Sequence, residues 1–192
     1  MLANLKRESA HFAENSERRL KTTEQFHGRK VTDPIKVLIR EHNEGLLRLA
    51  VLENAAESIK MNGFSPEAFE QIAETIRWMN TEVRRHTEIE EKFLFPLIDR
   101  HIRPLADQVR GEHRDLWDLF NDLLRAVKEV EEGRLHGTSI RDIVAIAKSI
   151  VELLRTHVRR EDTLVFPAVK QLLTKDEYDE LLVGISKSFS QY

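Results

Sequence analysis

Apolar residues recur along this chain at three- and four-residue spacings, the period of a helix with one buried face, and not at every second position. In the stretch TDPIKVLIREHNEGLL, Asp33 can cap a helix whose first position is Pro34. Ile35, Leu38, Leu46 and Leu49 then share one stripe, and the run closes near Asn62-Gly63. Ser65-Pro66-Glu67 opens a second helix, with Ile76, Met79 and Val83 facing inward. Proline removes a backbone donor, so this helix is expected to fray or kink before Pro96. A third helix begins around Pro104, carries Leu105, Val109, Trp117, Phe120 and Leu124 on its stripe, and ends at Gly133. The fourth begins at Thr138 or Ser139 and turns Ile143, Ile146, Ile150 and Leu153 inward as far as Phe166-Pro167. TKDE at 174–177 reads as a capping box for a further short helix.

Four helices of about 25 residues on short loops predict an all-α fold, an up-down-up-down four-helix bundle. The bundle is expected over residues 31–172. Residues 1–30 form an N-terminal extension, partly helical through Leu2, Leu5, Phe12 and Leu20, and 173–192 a short C-terminal helix and tail.

Composition narrows the function classes. With 7 Gly and 5 Pro in 192 residues the chain is short of turn formers, which agrees with one helical domain. Residues 1–40 hold nine Lys/Arg and five Asp/Glu, so they carry +4 and the remainder −7. Basic residues so diluted, with no aromatics interleaved, make a poor nucleic-acid footprint. The absence of cysteine excludes a disulfide framework, a thiolate metal site and a Cys nucleophile. No apolar run reaches the length of a membrane span or a secretion signal. The expectation is a cytoplasmic protein that binds neither nucleic acid nor membrane, with a protein partner or oligomer left open.

One repeated spacing carries the chemistry. RRHTEIEEKFLFP at 84–96 and RTHVRREDTLVFP at 155–167 place His86 and His157, Glu90 and Glu161, Phe95 and Phe166, and Pro96 and Pro167 at a common offset of 71. His42 and His113, each after a glutamate, share that offset, which reads as a duplicated helical hairpin. His42 lies 20 residues before Asn62 and His86 lies 21 after Ser65, so the two stand level, roughly 30 Å from the turn at 1.5 Å per residue. His113 and His157 are each 19 residues from their own turn, at Glu132 and Thr138. Glu90 and Glu161 sit one turn beyond their histidines on the same faces. Four imidazoles and two carboxylates therefore converge inside an apolar bundle, a costly burial that a pair of metal ions would relieve.

The set His42, His86-x-x-x-Glu90, His113, His157-x-x-x-Glu161 resembles the hemerythrin-like (HHE cation-binding) family over about residues 33–172. That resemblance implies two non-haem irons bridged by an oxo or hydroxo group and by Glu90 and Glu161. His42 and His86 would hold one iron, His113 and His157 the other. It implies a small diatomic ligand or peroxide as partner: binding of, or reaction with, oxygen, peroxide or nitric oxide, and as an enzyme a di-iron oxidoreductase. The sequence departs from the oxygen carrier of that family, which has a fifth histidine on the third helix; Val109 and Trp117 flank His113 here. Of about twelve positions on two octahedral ions, two bridging carboxylates, a bridging oxygen and four imidazoles fill all but two. Histidine and carboxylate suit zinc and manganese as well. A module that only holds iron or another cation, acting through a partner, and a metal-free scaffold are the other readings.

Other polar residues take plainer assignments. Glu41 and Glu112 point about 100° away from the neighbouring histidines and are expected to be solvated. Glu82 is expected in a partly solvated ion pair, and His11, His27, His101 and His136 at the surface. Phe95 and Phe166 are expected to pack in the core or to close the mouth of the site.

Overall fold

A computed structural model describes residues 32–133 and 137–190. The expectations placed on residues 1–30 and on His136 lie outside them. Helix α1 spans Pro34–Asn62, capped by the Asp33 carboxylate on the Lys36 N–H at 3.1 Å and closed by Gly63 at φ 85°. Only a residue without a Cβ adopts that left-handed turn at little cost. Ser65 caps α2 (Pro66–Trp78) by accepting from the Ala68 N–H at 3.2 Å. The second bundle helix then continues through a π-helical segment, Met79–Val83, helix α3 (Arg84–Ile89) and a second π-helical segment, Glu90–Leu94.

Pro96 does not end this helix. The Phe95 N–H donates to the Glu90 carbonyl, five residues back, and α4 (Phe95–Glu131) follows at once with proline in its first turn. A π turn spends one extra residue, so the proline's missing N–H falls where a new helical run begins. The chain bends instead at Ile102, whose φ of −139° and ψ of 69° break the helix just before Pro104. Past that bend the third bundle helix runs to Glu131, and Gly133 at φ 78° ends it. Helix α5 (Gly137–Arg160), a third π-helical segment (Glu161–Val165) and α6 (Phe166–Leu172) make the fourth bundle helix, which repeats the device at Pro167. A Thr174–Glu177 capping box opens α7 (Lys175–Ser190) as the sequence predicts.

The four bundle helices contact one another in a closed ring, each against the next in the chain and the fourth against the first. Their interior separates into two apolar clusters. One, toward the hairpin turns, includes Leu49, Leu52, Ile72, Met79, Leu116, Phe120, Leu123 and Ile150. The other, toward the opposite end, includes Ile35, Leu38, Phe95, Ile98, Val109, Phe166 and Val169 and is covered by Leu181 and Ile185 of α7. Leu124 is 45 % exposed while Leu123 is buried, so the stripe of the third helix lies one residue from where the spacing put it. Trp117, Leu46, Ile146 and Leu153 are partly buried around the first cluster. Among the described residues there is no strand, and no helix is long and apolar enough to cross a membrane.

Candidate metal centre

The boundary between the two clusters is polar. On every bundle helix the step from one cluster to the other passes through a histidine: Leu38 to Leu49 over His42, Val83 to Ile89 over His86, Val109 to Leu116 over His113, and Leu154 to Val165 over His157. All four imidazoles are buried, and the Glu90 and Glu161 side chains expose nothing to solvent. The equal heights counted along the chain are thus realised. Both glutamates open a π-helical segment, and π turns recur where a helix must redirect a functional side chain.

The structure gathers the six residues into two groups that share both carboxylates: His42, His86, Glu90 and Glu161, and Glu90, His113, His157 and Glu161. Within each group one ligand atom per residue lies within 4.8 Å of the others. The His42 and His86 Nε2 atoms face each other at 3.1 Å, and the His113 and His157 rings are 4.8 Å apart between centroids. Nε2 to carboxylate separations run from 3.1 Å, His42 to Glu161, to 3.5 Å, His113 to Glu90. All four oxygens of Glu90 and Glu161, and the His113 Nε2, are buried without a hydrogen-bond partner.

The outer face of each ring explains why. The Nδ1–H of His86 donates to Glu41 at 2.8 Å, that of His157 to Glu112 at 3.0 Å, that of His42 to Asp162 at 2.9 Å and that of His113 to Glu91 at 3.1 Å. A carboxylate only accepts, so the proton sits on Nδ1 and a neutral ring turns the Nε2 lone pair inward. Inward-facing lone pairs then meet four carboxylate oxygens, an arrangement that only cations can satisfy. Four imidazole nitrogens and two shared carboxylates fit a pair of oxygen- and nitrogen-loving metal ions, and the outer carboxylates fix the rings as metal-ligating histidines require.

Without metal, protons take the cations' place. Burial pushes the His157 imidazole down, but the Glu161 carboxylate 3.2 Å from its Nε2 and the hydrogen bond to Glu112 outweigh it and lift the group to about 10. His86 is likewise raised well above its ordinary range, against burial, by Glu90 and Glu41. Glu90 is held well below the usual carboxylate range: burial raises it, and His86 and His113 more than compensate.

Glu41 and Glu112 are therefore not solvated, and their expected exposure is overturned. Their side chains are 13 % and 12 % exposed and hold ligand rings on the adjacent helix, backed by Arg85 and Arg160. Asp162 and Glu91, which hold the other two rings, escaped notice in the sequence altogether. The signal was present, since Glu41 and Glu112, and Glu91 and Asp162, are also 71 apart. Glu82 pairs with Arg85 at 3.4 Å as expected, and His101 sits at the surface against Glu177 at 3.1 Å. Phe166 stacks on the His42 ring at 5.3 Å and Phe95 leans on His113 at 5.4 Å, so both aromatics are core residues that wall the site.

The family described as Hemerythrin HHE cation binding domain matches the chain over residues 33–169. No curated protein matches it.

Proposed function

This chain belongs to the hemerythrin HHE cation-binding family, and from that premise we propose that it is a non-haem di-iron protein which binds or reacts with oxygen, peroxide or nitric oxide. The observation that carries the proposal is the set of four buried, unpartnered carboxylate oxygens on Glu90 and Glu161, faced by four inward imidazole nitrogens. His42 and His86 would hold one ion, His113 and His157 the other, with Glu90 and Glu161 spanning both. Two ferrous ions bound there would supply electrons to a diatomic ligand or to peroxide.

The chain's own contribution is orientation, charge and dryness. Glu41, Glu91, Glu112 and Asp162 keep each Nδ1 protonated and each Nε2 free to donate its lone pair. Glu90 and Glu161 stay ionised in the interior, so they would offer two negative charges to bound cations. Phe95 and Phe166 close the apolar wall on the α7 side and exclude water there.

Metal content after expression with iron and purification without chelator tests the proposal. Close to two irons per chain is expected, falling sharply in His113→Ala. A folded sample that carries no metal and refuses anaerobic ferrous ion would refute it. Two bound irons with no response to oxygen, peroxide or nitric oxide would leave a cation-holding module in its place.

A further inference from the structure

The twofold relation of the centre does not extend to its rim. Between the second and third bundle helices a cleft of about 520 Å³ opens to solvent, and His113 is among the residues that line it. Thr87, Trp117, Lys92 and Arg114 line it as well. The Arg84 guanidinium stands 4.2 Å over the Trp117 ring, adding a third positive charge beside the opening. Glu88 also lines it, while Glu91 is engaged by His113 and by Arg110 at 3.5 Å.

Two observations point inward from this cleft. Among the described residues, the His113 Nε2 is the one imidazole nitrogen buried without a hydrogen-bond partner. Its separation from a central carboxylate, 3.5 Å, exceeds that of the other three imidazoles, at 3.1, 3.3 and 3.2 Å. The cleft thus reaches a ring whose inward nitrogen is held less closely by the central carboxylates than the other three.

On the related side, around His42, the offset of 71 puts Val158 in place of Thr87, Leu46 in place of Trp117, Thr163 in place of Lys92, Asn43 in place of Arg114 and Arg159 in place of Glu88. Arg155, the counterpart of Arg84, is held by Glu53 at 2.9 and 2.7 Å. The pair Lys92 and Arg114 and the Trp117 indole have no counterparts there and belong to the His113 side.

We propose that this cleft is the access route by which small anions reach the centre, entering over His113 and drawn by Lys92, Arg114 and Arg84. The route rests on the metal-binding reading above. It makes the two ions inequivalent to incoming ligands: the one on His113 and His157 is met first. Opposite charges beside an open cleft raise the arrival rate of an ion without requiring that it bind there.

The test uses the full chain loaded with cobalt(II), with azide as probe and the cobalt absorption as readout. Glu88→Trp narrows the cleft from its exposed edge, and Arg159→Trp, 71 residues on, places the same bulk on the related side. Glu88→Trp should slow azide association at least tenfold and slow release equally, leaving the dissociation constant unchanged, while Arg159→Trp changes neither rate. A blocked passage moves both rates together, whereas damage to the site moves the equilibrium. Equal rates in Glu88→Trp and the unaltered chain, or equal slowing in both variants, would overturn the route while leaving the metal site standing. The double variant Lys92→Glu, Arg114→Glu should slow association and weaken its salt dependence; unchanged association would overturn the selection for anions. Failure of the unaltered chain to take up cobalt would overturn the metal reading and the route with it.

Discussion

Raising the pH should destabilise the metal-free protein, and the structure sets both the sign and the size. His157 is lifted to about 10 in the folded chain by Glu161 and Glu112 acting against burial, while an unfolded imidazole titrates near 6.5. The folded state therefore binds the extra proton. Its contribution is complete below pH 6.5 and is lost progressively as the pH climbs toward 10. One proton held by the folded state alone is worth about 1.4 kcal/mol for each pH step. Between pH 7 and 9, His157 by itself should remove ~2–3 kcal/mol. His86, also raised, acts in the same direction. Urea unfolding of the metal-stripped chain, followed by circular dichroism at pH 6.5, 7.5, 8.5 and 9.5, measures the slope. Glu161→Gln should flatten it by removing the charge that holds the proton. A stability that is level or rises across this range would refute the claim that the inner nitrogens face two ionised glutamates. Metal affinity should run the opposite way and strengthen with pH, because the ions bind the deprotonated rings.

Three further outcomes follow from the packing. Glu112→Gln leaves Arg160 without its acceptor carboxylate and weakens the hold on His157, so metal affinity in chelator competition should fall about 10–100-fold with the helical spectrum intact. Gly184→Ala would bring a Cβ within 2.4 Å of the Phe93 ring, where α7 crosses the π-helical segment bearing Glu90. Its cost should be roughly 1–3 kcal/mol in thermal unfolding, with Phe93→Leu in the same chain recovering part of it. Phe166→Ala removes a fully buried ring from the cluster around His42 and should cost about 3–5 kcal/mol, whereas Leu164→Ala, two residues earlier and half exposed, should cost much less.

The helices and the six central residues were legible because each depends on information carried along the chain. Capping by Asp33 and Ser65, termination at Gly63 and Gly133, and the common height of the four histidines follow from local chemistry and from the constant rise of a helix. The offset of 71 paired the hairpins without any contact being known. Three features came only with the fold. Pro96 and Pro167 looked like places where a helix frays, bends or ends, but what a proline does depends on the turn before it, and a π turn here absorbs the missing donor. Leu124 and Leu123 exchanged places because a stripe drifts by a fraction of a residue along a long helix, and only the neighbouring helices define its inward side. Glu41 and Glu112 were assigned to solvent from their rotation about their own axis. That rotation fixes direction within one helix and says nothing about what stands in that direction. In the bundle it is the adjacent helix, at the height of a ligand ring, so residues turned away from their own histidines hold their neighbours'. The sequence by itself determined which groups lie level; the packing of four helices decided which of them meet.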